Sequence, residues 1–228
     1  MNRLTRLAAM VALAFGGLAS SNVASADISY NVGFASEYYY RGILQKESSA
    51  SAGIDFEQSG FYAGAWTADV GDGLEVDFYL GYGIETDSGF SASIGATGYY
   101  YTGEFDDTYE ELNLNLGYKI LSIEYSVGEW DGFGMPADYD FLAGTIALDN
   151  GLYGTVGAFG KDADGEYVEV GYGMTVAEID LGVAIIYSSE ELSDQCDSTI
   201  LPFFTDCGVP GTKATESEAI VFTIGKTF

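Results

Sequence analysis

Histidine is absent from this sequence of 228 residues. Its absence removes the Ser-His and Asp-His arrangements of nucleophilic catalysis, together with every imidazole metal ligand. No nucleotide-binding loop is present either. A carboxylate pair could still act as acid and base on a glycan, but the acidic residues are too numerous to nominate one pair. We therefore expect no enzyme, no cofactor and no metal site.

Basic residues are scarce. The sequence has 8 Lys and Arg against 35 Asp and Glu, which gives a formal net charge of −27 at pH 7. A chain of this sign repels the phosphate backbone, so nucleic acid is excluded as a partner. Its 18 Tyr and 14 Phe argue against a disordered acidic chain, because such chains are poor in aromatic residues.

Long apolar runs are missing except near the N-terminus, where Leu7–Leu18 follows two arginines. The small residues Ala24, Ser25 and Ala26 come next, so the pattern predicts a signal peptide over residues 1–26. No other stretch approaches the roughly 18 apolar residues of a membrane-spanning helix. Residues 27–228 could therefore cross a membrane only as strands of a closed barrel.

Cysteine is also rare. Cys196 and Cys207 are the only two in the sequence, and both follow the predicted signal peptide. In an oxidising compartment they are expected to form one disulfide that closes a short loop, which adds about 3 kcal/mol of stability in the loop-entropy description. Their spacing is not that of a CxxC redox motif, so we expect a structural role.

Alternation is the main pattern that is present. From Val76 to Glu85, apolar side chains alternate with charged, polar or glycine residues, which is typical of a strand with two unlike faces. A soluble sandwich turns its apolar face inward, whereas a membrane barrel turns that face toward lipid. The 31 glycines, interleaved with aromatic residues along short segments, favour the barrel.

Turn signals divide the chain after the signal peptide into about twelve alternating segments, which predicts a single all-β domain, an antiparallel transmembrane barrel. The predicted spans are 28–40, 47–58, 60–68, 74–86, 89–101, 109–118, 121–129, 138–148, 152–160, 166–176, 178–188 and 217–228. Short connections alternate with longer acidic ones, as periplasmic turns and external loops do in outer-membrane barrels. The long connections are predicted at 41–46, 69–73, 102–108, 130–137, 161–165 and 189–216. The alternative is a soluble sheet.

Two parts of the sequence carry a family resemblance. The segment SEYYYRGILQ, from Ser36 to Gln45, resembles the S-x-Y-x-x-R-G-I-x-Q opening of the TorF porin family, also grouped under the Gcw_chp domain name. GFYAGAW (60–66) and EVDFYLGY (75–82) resemble that family's G-x-Y-x-G-x-W and E-x-D-x-Y-x-G-Y hairpin. The resemblance implies an outer-membrane barrel. The terminal Phe228 resembles the recognition signal of such proteins.

Strand parity predicts which side chains line the lumen. In the first strand, Tyr38 and Tyr40 are predicted to face outward in an aromatic girdle, while Arg41 faces inward. The predicted channel-lining residues are Glu37, Tyr39, Arg41, Asp55, Glu57, Asp77, Tyr79, Glu124 and Glu169. Arg41 is the only cation among them, and neighbouring carboxylates such as Asp55 are expected to hold it.

An acidic lumen attracts cations, and twelve strands exceed the eight whose side chains can fill a barrel. We therefore expect a small porin for passive diffusion of small solutes, with a cation preference, acting as a monomer in the bacterial outer membrane. The alternative is a non-conducting structural or receptor barrel whose external loops, above all 189–216, bind a partner. The acidic loops would face lipopolysaccharide, with divalent cations bridging the two. Adaptation to a salty habitat would explain the acidity equally well.

Overall fold

The computed structural model describes residues 26–197 and 213–228. Twelve long antiparallel strands close into a barrel, which confirms the predicted fold class. They are β1 (Asp27–Tyr40), β2 (Ile43–Gln58), β3 (Phe61–Gly71), β4 (Gly73–Glu85), β5 (Phe90–Tyr101), β6 (Tyr109–Tyr118), β7 (Leu121–Trp130), β8 (Ala137–Ala147), β9 (Leu152–Lys161), β10 (Glu166–Val176), β11 (Ile179–Ser188) and β14 (Ser217–Thr227). Two short strands, β12 (Cys196–Asp197) and β13 (Lys213–Ala214), pair outside the barrel.

Closure of the barrel depends on the pairing of the first and last strands. β1 pairs with β14 over Asn31–Ala35. Beyond this ladder, the amide of Tyr30 donates to the carbonyl of Phe228 at 3.3 Å, and the amide of Phe228 donates back at 2.8 Å. All other barrel strands pair with their neighbours in chain order. Closure over this ladder removes the open sheet edges that lipid cannot accommodate.

Two predictions concern residues outside the described ones. The predicted signal peptide, residues 1–26, overlaps the described chain only at Ala26. Cys207 also lies outside, so the disulfide with Cys196 stays a prediction. Within residues 26–197 and 213–228, no helix has the length and apolar character needed to cross a membrane.

The outer surface carries the apolar face of each strand. In β4, Phe78 and Leu80 are each 55% exposed, whereas Asp77 on the opposite face is 5% exposed. The apolar belt continues around the barrel through Ile94, Leu112, Leu142, Val156, Val170, Ile185 and Phe222. A soluble monomer rarely exposes an apolar surface of this extent, so the inverted arrangement of a membrane barrel is present.

The outer belt gives a direct test of membrane insertion. Ile94 is 64% exposed on β5, and the adjacent Ser93 faces the interior. Replacing Ile94 with Arg is expected to reduce the free energy of unfolding in lipid vesicles by about 2–4 kcal/mol, because the charge enters hydrocarbon. Ser93→Arg, the matched interior variant, is expected to lose much less of the free energy of unfolding. Equal losses in urea unfolding would contradict a lipid-facing belt.

The two ends of the barrel differ in their connections, and the predicted alternation is right in part. At one end, here called the short-turn end, the connections are 59–60, 86–89, 119–120, 148–151 and 177–178. The other end, the long-loop end, carries 102–108, 131–136, 162–165 and 189–216. Two predicted long connections are wrong: 41–46 is only Arg41–Gly42, and 69–73 is only Asp72, because the flanking strands extend further than their polar sequences indicate.

Candidate pore constriction

The β1–β2 hairpin leaves the barrel wall at the long-loop end. β1 pairs with β14 only over Asn31–Ala35, and β2 pairs with β3 only over Ser51–Gln58. Beyond those limits β1 and β2 pair only with each other, up to Tyr40 and Ile43, with a register shift on the way. We call residues 37–48 the hairpin tip. Since the tip pairs with neither β14 nor β3, it can bend away from the wall.

A tight turn closes the hairpin tip. Arg41 and Gly42 both have positive φ angles, of 48° and 84°, as a type I′ turn requires. A Cβ atom on Gly42 would lie 2.6 Å from the Cβ of Tyr167 on β10. Glycine is therefore needed both for the turn and for the close approach of the tip to another strand.

The tip crosses the interior and contacts several walls. The ring of Tyr40 packs edge-to-face on Tyr99 of β5, with centroids 5.5 Å apart. On another side, the carbonyl of Gly42 accepts a hydrogen bond of 2.5 Å from the Ser188 hydroxyl of β11. Arg41 reaches β6 and β7, which lie opposite β1 in the strand order. The tip therefore narrows the barrel interior at the long-loop end.

Arg41 anchors the tip to the wall opposite β1. Its Nη1 donates to Glu111 Oε1 at 2.5 Å and its Nη2 to Glu111 Oε2 at 3.1 Å, which makes a bidentate pair. Nη2 also donates to Glu124 at 2.6 Å and to the Ser126 hydroxyl at 3.1 Å. The guanidinium lies 4.2 Å from the ring centre of Phe141. The side chains of Arg41 and Glu111 are 6% and 0% exposed, so this ion pair is buried.

The prediction that Tyr38 and Tyr40 face lipid is wrong. Tyr38 is 6% exposed, and its hydroxyl donates to Glu75 at 2.8 Å. The hydroxyl of Tyr40 donates to that of Tyr99 at 3.0 Å. The parity argument assumes that a strand remains in the barrel wall. The hairpin tip leaves the wall, so the argument fails there. Both rings therefore point into the protein.

Tyrosine hydroxyls satisfy several of the interior carboxylates. The pairs are Asp55–Tyr79, Glu75–Tyr38, Glu111–Tyr139 and Glu169–Tyr153. Asp55 also accepts from the Asn31 amide at 3.0 Å, so the expectation that Asp55 holds Arg41 is wrong. A hydroxyl donor stabilises a carboxylate without cancelling its charge. These hydrogen bonds bring no positive charge into the interior.

Interior glycines allow two of these tyrosine rings to lie along the wall. A Cβ atom on Gly64 would lie 2.4 Å from the hydroxyl oxygen of Tyr79, and one on Gly171 would lie 2.1 Å from that of Tyr153. Each glycine is the cross-strand partner of the tyrosine that covers it. Without a side chain there, the ring can rest on the neighbouring strand instead of projecting toward the barrel axis.

The other predicted lining residues lie at different levels of the interior. Glu57 lies on the inner face of β2 toward the short-turn end and is half-buried. Asp77 is 5% exposed, and within the described chain its Oδ1 has no hydrogen-bond partner. Glu37 and Tyr39 lie on the hairpin tip beside a small cavity. Of the predicted set, hydrogen bonds join Arg41 with Glu124 and Asp55 with Tyr79.

Sequence reasoning missed two interior carboxylates, Glu75 and Glu111. Both are buried, at 2% and 3% exposure, and both bond to the hairpin tip. Each lies two residues before a position that parity places inward, Asp77 and Asn113. The same period of two could therefore have found them.

One comparison with a solved structure supports the fold. A protein from a study of in-meso crystallization of membrane proteins has a TM-score of 0.55 at 6% identity, over 88% of this chain and 83% of that chain. The NanC porin has a TM-score of 0.47 at 11% identity, over 89% and 99%. Pseudomonas aeruginosa OccD3 (OpdP) has a TM-score of 0.43 at 10% identity, over 92% of this chain and 66% of that chain. Likeness at these identities concerns the fold alone. Among curated proteins none matches this sequence.

A family comparison covers nearly the whole chain. The family described as "Bacterial protein of unknown function (Gcw_chp)" matches residues 19–228. The matched range includes every strand of the barrel and the hairpin tip, where the SEYYYRGILQ segment lies. The chain belongs to the Gcw_chp family of bacterial proteins.

Proposed function

We propose that this protein is a non-enzymatic channel for passive diffusion of small solutes across the bacterial outer membrane, with a preference for cations. The observation that carries the proposal is the charge of the barrel interior. The carboxylates there include Glu37, Asp55, Glu57, Glu75, Asp77, Glu111, Glu124 and Glu169. Within residues 26–197 and 213–228, Arg41 is the only basic residue whose side chain is buried in an ion pair.

The width of the barrel supports a passage for small solutes only. Twelve strands enclose more space than the eight whose interior side chains meet at the axis. The hairpin tip occupies part of that space at the long-loop end, which limits the size of what passes. The proposal also includes the outer-membrane location, the membership in the TorF porin group and the monomeric state. It further includes a signal peptide removed before Asp27 and divalent cations that bridge the acidic loops to lipopolysaccharide.

Reversal potential in a planar bilayer tests the proposal. In a gradient of potassium chloride, we expect single channels to prefer K⁺ over Cl⁻ by roughly tenfold, because clustered carboxylates in a low-dielectric wall concentrate cations. Asp55→Asn with Glu57→Gln should reduce this preference. Glu110→Gln with Glu129→Gln, on the exposed outer face of β6 and β7, is the matched control and should leave it unchanged. A preference for Cl⁻ would contradict the proposal.

A second candidate is a non-conducting structural or receptor barrel. The packing of the hairpin tip favours it, because the tip is bonded to several walls. Exposed apolar side chains in the β7–β8 connection also favour it, since Phe133 is 65% and Met135 is 78% exposed. Complete absence of current from correctly folded protein would support this candidate against the channel.

A further inference from the structure

A cavity separates the hairpin tip from one part of the barrel wall. Its volume is about 50 Å³, which is room for a few water molecules. Glu37 and Tyr39 border it from the tip. Glu169 of β10, Ala184 of β11 and Thr223 of β14 border it from the wall. The cavity therefore lies on the side of the tip that faces the last strands of the barrel.

On the opposite side the tip is closely packed. Tyr38, which also borders the cavity, packs its side chain in a buried cluster with Trp66, Ala68 and Val70 of β3, in which Ala68 is 1% exposed. The rings of Tyr38 and Trp66 meet edge-to-face with centroids 5.7 Å apart. Buried clusters of this kind have the density of a protein core and do not admit ions. A passage past the tip is therefore expected on the cavity side.

On the side that faces β11, the tip contacts the wall through apolar packing and through one hydrogen bond, from the Ser188 hydroxyl to the carbonyl of Gly42. Tyr39 packs on the apolar side chains of Ala184, Ile186 and Val221. The bond to the opposite wall, by contrast, is the bidentate ion pair between Arg41 and a glutamate. Apolar contacts have no fixed geometry, so small movements of the Tyr39 ring can widen the cavity while the bonds of Arg41 and Gly42 hold the rest of the tip.

The polar groups around the cavity fit a cation. Glu37 and Glu169 supply carboxylates from opposite sides, and no basic residue is among those that line it. The hydroxyl of Thr223 is buried, and in the described part of the chain it has no hydrogen-bond partner. A buried polar atom without a protein partner usually bonds to water or a solute. Tyr39 and Tyr153 add aromatic rings to the lining.

We infer that solutes cross the constriction between the hairpin tip and the wall formed by β10, β11 and β14, and that Glu37 and Glu169 determine selectivity for small cations at this point. This inference rests on the proposed channel function. It adds the route, the residues that select, and the class of solute: a cation small enough to shed part of its water.

Cysteine substitution with Ag⁺ as the probe tests the route. Ala184 and Ala68 are a matched pair, because both are buried alanines on the inner face near the long-loop end. In potassium nitrate, Ag⁺ is expected to enter the cavity, react with the Ala184→Cys thiol and abolish most of the current. Ala68→Cys is expected to keep its current. The unsubstituted protein controls for reaction at its own two cysteines.

The possible outcomes separate the route from the channel itself. Loss of current in Ala68→Cys and not in Ala184→Cys would overturn the proposed route, as would unchanged current in both variants. If the unsubstituted protein also carries no current, the channel function itself is contradicted.

Charge neutralisation tests the selecting residues. Glu37→Gln with Glu169→Gln should reduce the preference for K⁺ more than Asp55→Asn with Glu57→Gln, because the first pair borders the small cavity through which the cation would pass. The opposite order, or no change with the first pair, would overturn the assignment of Glu37 and Glu169.

Discussion

Excising the end of the β1–β2 hairpin is expected to raise single-channel conductance several-fold. Tyr38 and Lys46 are paired across the hairpin, so a two-residue Asn-Gly turn can replace residues 39–45 between them. The excision removes Tyr39, Tyr40 and Arg41 from the interior. Because the remaining interior belongs to a twelve-stranded wall, water and solutes should then fill the long-loop end.

A deletion elsewhere at the same end is the control for this prediction. Removing Gly132–Met135 shortens the β7–β8 connection, whose Phe133 and Met135 are exposed and lie outside the passage. This variant should conduct like the unaltered protein. Planar-bilayer recording measures both variants. If the hairpin variant folds, binds detergent and conducts no better than the control, the tip does not form the constriction.

The excision should also weaken selectivity. In the intact barrel, Glu37 and Glu169 border a cavity of about 50 Å³, where an ion cannot avoid either charge. In a wide lumen, the same charges are separated from the ion by water and salt, and their effect falls off over a Debye length of about 8 Å at physiological ionic strength. Conductance and K⁺ preference should therefore change in opposite directions.

The wall of the barrel could be predicted from the sequence because its causes are local. Each residue of a wall strand faces either lipid or the interior, so a period of two fixes both the strand and its face. β6, for example, occupies 109–118 as predicted, with Leu112 outward and Asn113 inward. Turn residues then mark where each segment ends.

The hairpin tip could not be predicted in the same way. Tyr30 and Phe34 face outward as the alternation indicates, but Tyr38 does not, although the local pattern is unchanged. The difference arises where β1 loses its pairing with β14 after Ala35, which depends on a strand nearly two hundred residues away. Local periodicity carries no information about that loss.

The anchor of the tip is equally non-local. Arg41 and Glu111 are 70 positions apart, and only the folded barrel brings them together. The family resemblance did mark the right segment, because SEYYYRGILQ forms most of the hairpin tip. It gives no geometry: parity places Arg41 in the lumen, but the expected partner Asp55 is wrong, and Glu111 is not among the predicted residues. The charge of Arg41 predicts a carboxylate as its partner, but the arrangement of the strands determines which carboxylate it is.

Replacing Arg41 with Met is expected to reduce the free energy of unfolding by about 3–5 kcal/mol. The methionine leaves the Glu111 carboxylate, which is 0% exposed, without the cation that faces it at 2.5 Å. A buried charge that loses its partner pays the full cost of desolvation. Urea unfolding in detergent micelles, followed by tyrosine and tryptophan fluorescence, measures the loss.

Two further variants separate this electrostatic cause from a general effect of losing a basic residue. Lys226→Met removes an ion pair with Glu178 that spans 3.4 Å and is largely exposed, so it should cost at most about 1 kcal/mol. Arg41→Met with Glu111→Gln removes both buried charges, and most of the lost stability should return, because the amide still accepts from Tyr139. If Arg41→Met reduces the free energy of unfolding no more than Lys226→Met does, water already reaches Glu111 in the folded protein. The tip would then be held by its tyrosines, and the ion pair would not be its anchor.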